Sequence, residues 1–363
     1  GFNPDRLLTA RISMPRPRYA QESSRVQFIE QALERISALP QVASVGAINH
    51  LPLTGFQVYT PFWADGPPPA PTREFLRMAP VGPVTPDYFR AMGIPLRAGR
   101  YFDERDIASA QRMAIVNEAM AKKLFPNETA IGKQIWSPVL KREPKNPNEN
   151  PVGVIVGVVG DVRHLGLEQE AQPEIYIPYS QGAPVFLSLV IRTRDDPSGV
   201  IASVRYQMAV IDSNLALYDV MTMERRLSDS IAPRRFNLFL LGAFATLAIA
   251  LASVGVYGVI SYLVTQRSHE IGIRIALGAQ RWDVLRLFVG RGMALVFAGA
   301  AVGLLGALAL TRVMAGFLFG VKGADPQTFA GVTLFLVAVS LLACYLPARR
   351  ATKIDPIVSL RDE

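Results

Sequence analysis

Three histidines, His50, His164 and His269, are the side chains of this sequence best suited to hold a metal or carry a proton near neutral pH. They stand far apart, with no HxxxH spacing and no Cys partner pattern, so the sequence predicts no metal site. The single cysteine, Cys344, lies in a long apolar run and leaves no disulfide framework. Phosphate chemistry is no better served. Gly157-Val-Val-Gly160-Asp161 ends an apolar stretch as dinucleotide sites do, but it lacks the GxGxxG spacing and a following helix, and reads as a tight turn. Ile131-Gly132-Lys133-Gln134 resembles the end of a Walker A loop, yet the first glycine is missing and Gln134 replaces the Ser or Thr that would hold Mg²⁺. No Gly-x-Ser-x-Gly elbow occurs. The expectation is a chain with no catalytic residues, no metal and no cofactor of its own.

Recognition is the chemistry that residues 266–291 do encode. Ser268 can cap a helix that carries Ile271 and Ile275 on one face and the i, i+4 pair Glu270 and Arg274 on another. Gly278 ends that helix, and Trp282, Leu285 and Val289 begin the next one at interfacial depth. The result is a short amphipathic helix parallel to a membrane. It reads either as a plain interfacial anchor or as a surface that docks a cytoplasmic partner.

The elements that position this segment are long and apolar. Phe236 to Val264 holds no charge, Gly292 to Thr311 is fenced by Arg291 and Arg312, and Pro326 to Ala348 by Asp325 and Arg349. Each run meets the roughly 20 residues that a helix needs to cross a bilayer, which predicts transmembrane helices at about 236–264, 288–314 and 327–347. The first connecting loop carries Arg267, Arg274, Arg281, Arg286 and Arg291, and Arg349, Arg350, Lys353 and Arg361 crowd the C-terminus. The second loop holds little beyond Arg312, Lys322 and Asp325. Positive charge marks the cytoplasmic side, so residues 265–291 and 349–363 face the cytoplasm and everything before Phe236 lies outside. Arg225, Arg226, Arg234 and Arg235 run against this rule, but long translocated domains largely escape it. Gly299 and Gly303, like Gly316 and Gly320, are GxxxG pairs that let helix backbones approach closely. No acidic residue or lysine falls within a span, which argues against a proton relay or ion pathway through these helices.

The outer part, residues 1–235, is expected to be an α+β domain. Leu7–Met14, Gln21–Ala38 and Val42–Ile48 read as strand, helix and strand. The order recurs at Phe186–Arg192, Gly199–Ile211 and Leu217–Met221. Two such units flank an inserted mixed α/β subdomain at about 55–183. Within it, Val84–Met92 reads as a short helix capped by Thr85 with Pro86 at its first position, Met113–Val116 as a strand, Asn117–Leu124 as a helix and Val152–Val159 as a buried strand. Residues 137–151 and the prolines of 66–71 read as loops. The net charge of +8 suggests no nucleic-acid partner, because much of it flanks the spans, where anionic lipid head groups account for it. The sequence begins at Gly1 without a signal peptide, and an exported domain of this size needs one or an anchor, so a preceding membrane segment is expected.

Arg267 to Ala279 (RSHEIGIRIALGA) and Pro347 to Leu360 (PARRATKIDPIVSL) resemble the two signatures of FtsX-like permease domains in MacB-type ABC transporters. Val84 to Phe102, Ala114 to Pro126 and Val156 to His164 resemble the periplasmic core domain of that family. The resemblance covers essentially the whole chain and is strongest to the duplicated orphan permeases of acidobacteria, of which this would be the C-terminal half. It implies a periplasmic core domain at 1–235, an FtsX-like permease domain with a three-helix transmembrane bundle at 236–363, and multi-pass placement in a bacterial inner membrane. It implies that Arg267, Glu270, Ile271, Gly272, Arg274, Ala276, Leu277, Gly278 and Ala279 contact an ABC ATPase, and that Pro347, Arg349, Arg350, Asp355 and Pro356 form a second cytoplasmic signature. ATP and Mg²⁺ would be bound by that separate ATPase subunit. Other implied partners are membrane lipids, a second permease half or a second copy, and a periplasmic protein. The function expected is that of a permease subunit, in mechanotransmission or export. A membrane-anchored scaffold or sensor that works without ATP is the alternative.

Overall fold

The computed structural model describes residues 1–15, 17–64, 77–103, 105–106, 111–140, 151–166, 169–266, 281–315 and 326–351. Its contacts divide the chain into two compact units, Gly1–Pro233 and Arg234–Glu363.

The first unit starts as an open sheet. β1 (Leu7–Ser13), β10 (Phe186–Thr193), β2 (Val42–Ile48) and β11 (Tyr218–Thr222) lie in the order β11-β1-β10-β2, every pair antiparallel. Period-two alternation decides what each face covers. Leu8, Ala10 and Ile12 of β1 and Leu187, Leu189 and Ile191 of β10 meet α1 (Glu22–Ser37) and α4 (Ile201–Ile211) in one core. Leu7, Val190 and Ile48 turn to a second core built on α2 (Tyr88–Met92). Both strand-helix-strand units thus appear with boundaries within a residue or two of those the periodicity gives.

The remaining strands are β3 (Tyr59–Ala64), β4 (Arg77–Val84), β5 (Leu96–Gly99), β6 (Met113–Asn117), β7 (Gln134–Trp136), β8 (Val152–Val159) and β9 (Ile175–Pro178). Their pairings run β4-β3-β7-β8-β6-β9 and return to β4, so the ladder closes on itself, with β5 added to β8. The enclosed side chains, among them Phe62, Val81, Val116, Ile135, Ile155 and Ile177, form a third core, which α3 (Glu118–Leu124) joins through Met120. One register pair, Ile48 with Val84, joins the open sheet to this ring.

Three local expectations change. Thr85 does not cap α2: its hydroxyl accepts the Ala47 N–H at 2.8 Å, and Asp87 occupies the capping position, where its carboxylate accepts from Arg90 at 3.0 Å and caps no backbone N–H. The demand of the buried β2 backbone outweighs that of a five-residue helix. Gly157 lies within β8 instead of in a turn, and a Cβ there would meet the Arg100 carbonyl oxygen. Arg226 is a folded-domain residue: it is buried and donates to Asp219 Oδ2 at 2.9 Å and Thr9 Oγ1 at 3.2 Å, while Arg225 pairs with Asp229 one turn on. These two arginines answer to local partners.

α5 (Met223–Gln266) begins in the first unit, with Met223 fully buried in the α2 core, and carries Pro233 inside it at the boundary between units. The second unit comprises the rest of α5, α6 (Arg281–Ala315) and α7 (Pro326–Ala351). Among the described residues, two helices are long and apolar enough to cross a membrane, in the stretches Met223–Leu263 and Gly292–Ala309, whose most apolar 18-residue windows have mean hydropathy 2.2 and 2.1. α7 has a shorter apolar stretch, Phe329–Tyr345. Phe239, Leu251 and Val254 on α5, Val302 and Leu305 on α6 and Leu334 on α7 are exposed large apolar residues. So continuous an apolar surface belongs against lipid or another protein.

Candidate functional site

The segment with the strongest recognition pattern, Arg267, Glu270, Ile271, Gly272, Arg274, Ala276, Leu277, Gly278 and Ala279, lies outside the described residues, bracketed by the end of α5 at Gln266 and the start of α6 at Arg281. Gly316, Gly320, Asp355 and Pro356 also lie outside them, and Pro347, Arg349 and Arg350 fall on the final turns of α7. Gly299 and Gly303 are on α6. Among the described residues nothing stands within 4 Å of a Cβ placed on either, and both line a cavity of about 700 Å³ with Gly255, Val259, Phe329 and Leu336. Within one chain these glycines open space between helices.

The described residues do assemble one constellation of chemistry-bearing side chains, and it lies in the first unit. His50 stands two residues beyond β2, His164 on the loop after β8, and Glu174 directly before β9. The pairing of β2 with β4 and of β4 with β9 brings these ends together, and the Leu53 N–H ties the two histidine loops by donating to the His164 carbonyl at 2.8 Å. His50 Nε2 lies 3.3 Å from Glu174 Oε1, and His164 Nε2 lies 2.8 Å from Oε2. Tyr176 donates its hydroxyl to Oε2 at 2.6 Å. Asn117, at the end of β6, accepts the Glu174 N–H with Oδ1 at 2.9 Å while also capping α3 through the Met120 N–H. All three ionisable side chains are buried, at 0%, 6% and 1% exposure for His50, His164 and Glu174.

Burial alone would push the Glu174 carboxyl up, but His164 and then His50 outweigh it and hold the group down at about 2. The same carboxylate works on the phenols: burial first, then its negative charge, raises Tyr176 and Tyr88 well above the ordinary tyrosine value. Nδ1 of both histidines, Asn49 Oδ1 and the Tyr88 hydroxyl are buried without a hydrogen-bond partner among the described residues. Ligand atoms of His50, His164 and Glu174 all lie within 4.8 Å of one another, a geometry that can hold a metal ion. Sequence spacing gave no hint of this, because the contacts span 124 and 10 residues and come from three different strand ends. The available signal was positional: each residue is polar and sits at the mouth of an apolar strand. His269 lies outside the described residues.

Two family matches take up most of the chain. Residues 3–207 match the MacB-like periplasmic core domain, and residues 242–356 match the FtsX-like permease C-terminal domain. The ABC transporter permease YknZ of Bacillus subtilis is 27% identical over 78% of this chain and 70% of its own length. The macrolide export ATP-binding/permease protein MacB of Marinobacter nauticus is 24% identical over 74% of this chain, which spans 41% of that relative. The periplasmic region of MacB from Actinobacillus actinomycetemcomitans aligns with 61% of the chain and 91% of its own at 16% identity, with a TM-score of 0.40.

Proposed function

Because this chain belongs to the ABC transporter permeases that join a MacB-like periplasmic core domain to an FtsX-like permease domain, we propose that it carries ATP-driven motion across the membrane without hydrolysing ATP itself. Neither matched domain is an ATPase, and the family implies an ATPase partner. In this reading a separate ATPase dimerises on ATP and presses on residues 267–280, whose Glu270 and Arg274 form the contact with their apolar neighbours Ile271 and Ile275. The displacement passes into α5 and from there to the core domain. The observation that carries the reading is the continuity of α5: a single helix runs from Met223, buried in the outer core, to Gln266, the residue before the arginine-rich loop.

The orientation follows from the arginines of that loop and of the C-terminus, with the core domain in the periplasm and α7 as a third crossing. Transmission is favoured over conduction because the spans carry no acidic residue or lysine to serve as an ion pathway. The proposal extends to a second permease half or a second copy as the partner within the membrane, and names no substrate.

The test is the double substitution Glu270→Ala with Arg274→Ala in the intact membrane protein, co-expressed with an ABC ATPase that co-purifies with the wild-type protein. Loss of co-purification and of stimulated ATP hydrolysis is expected, with insertion unchanged. Undiminished association and stimulation would sink the coupling model and favour a membrane-anchored scaffold or sensor.

A further inference from the structure

We propose that His50, His164 and Glu174 form a binding site for one zinc ion, placed where the open sheet passes into the closed ring of strands. The inference does not depend on the transport reading. Both imidazoles aim Nε2 at the carboxylate, one at each oxygen, at 3.3 and 2.8 Å. A tetrahedral zinc with bonds of about 2.0–2.2 Å sets neighbouring ligand atoms about 3.3 Å apart. His50 Nε2 already stands at that spacing from Oε1, His164 Nε2 is about 0.5 Å short of it from Oε2, and ligand atoms of all three residues lie within 4.8 Å of one another. Two imidazoles with one carboxylate make a mixed nitrogen and oxygen donor set that suits zinc, whereas calcium and magnesium take oxygen ligands.

One further observation points to an ion. A cavity of about 10 Å³ opens onto His164 and Glu174 between Gln57, Val162 and Gln172, with the exposed Gln169 and Glu170 beside it. That is roughly the room one water needs, and it lies against two of the three ligands, His164 and Glu174. Tyr176 and Asn117 already hold the carboxylate and its backbone in place, as the supports of a ligand do. The ion would act as a structural tie between the loops after β2 and β8 and the start of β9, with no reaction assigned to it.

The full-length protein, purified in detergent without a histidine tag, would be equilibrated with buffered zinc and its metal content measured by plasma mass spectrometry. About one zinc per chain is expected, falling below about 0.1 in His164→Ala and in Glu174→Gln. Wild-type protein that retains less than about 0.1 zinc, or variants that retain as much as wild type, would overturn the site. X-ray absorption at the zinc edge of wild-type protein tests the proposal even if a variant fails to fold. Two imidazoles with oxygen donors are expected, and a sulfur ligand or any other imidazole count would overturn it.

Discussion

At the scale of single residues, Glu174 concentrates more of the chemistry of the core domain than any other described side chain. Its folded-state value of about 2 lies below the ordinary carboxylate range, so its contribution to stability is fully present above about pH 4.5 and is lost as pH falls toward 2. Chelator-treated protein should therefore lose core-domain stability across that window, measured by denaturant unfolding of the full chain followed through its tryptophans. Glu174→Gln should be less stable at neutral pH and should lack that pH dependence, and an unchanged acid profile in the variant would exclude Glu174 as its source. None of this was legible in the sequence. His50, His164 and Glu174 each look like an isolated polar residue, and only the order of strands makes them neighbours. Arg226 was misleading for the same reason, because its partners Asp219 and Thr9 are fixed by the pairing of β1 with β11.

At the scale of elements, legibility followed length and composition. β1, β2, β8 and β10 announce themselves by seven or eight residues of alternating or continuous apolar character. β5, β7 and β9 have three or four residues, too few for a period to emerge. β3 and β4 are concealed by Pro61, Pro80 and Pro83, since proline ordinarily demotes a strand, yet β4 is paired on both sides by β3 and β9. The closure of the ring was therefore beyond reach, although its buried β8 was plain. One contact between elements yields a direct prediction. α2 rests on β2 at Gly46, where a Cβ would stand 2.5 Å from Tyr88 Cα and 2.7 Å from Tyr88 N. Neither backbone can yield cheaply, so Gly46→Ala should cost about 1–3 kcal/mol or more in denaturant unfolding, as overpacked cores do. A Gly199→Ala control, with open space at its Cβ, should stay within about 0.5 kcal/mol of wild type. Equal stability of the two variants would show that α2 lifts away from β2 at little cost.

At the scale of the whole molecule, the charge-free runs that hydropathy marks fall on the long helices of the second unit. What hydropathy concealed is that α5 starts thirteen residues before its apolar run, at Met223 instead of Phe236. Residues 223–235, ahead of the uncharged run, are helix as well. In the proposed coupling, a continuous α5 held at one end by a buried side chain has a phase as well as a length. Each residue added within it turns one end against the other by about 100°, whereas seven residues restore the original facing to within about 20°. Alanine insertions between Arg235 and Phe236 should therefore impair coupling to the ATPase in a periodic way. One or two residues should be damaging and seven tolerated, as read by stimulated hydrolysis. A decline that simply followed insertion length would mean that α5 acts as a tether. If the periodic pattern holds, α5 works as a shaft, and what crosses the membrane includes rotation.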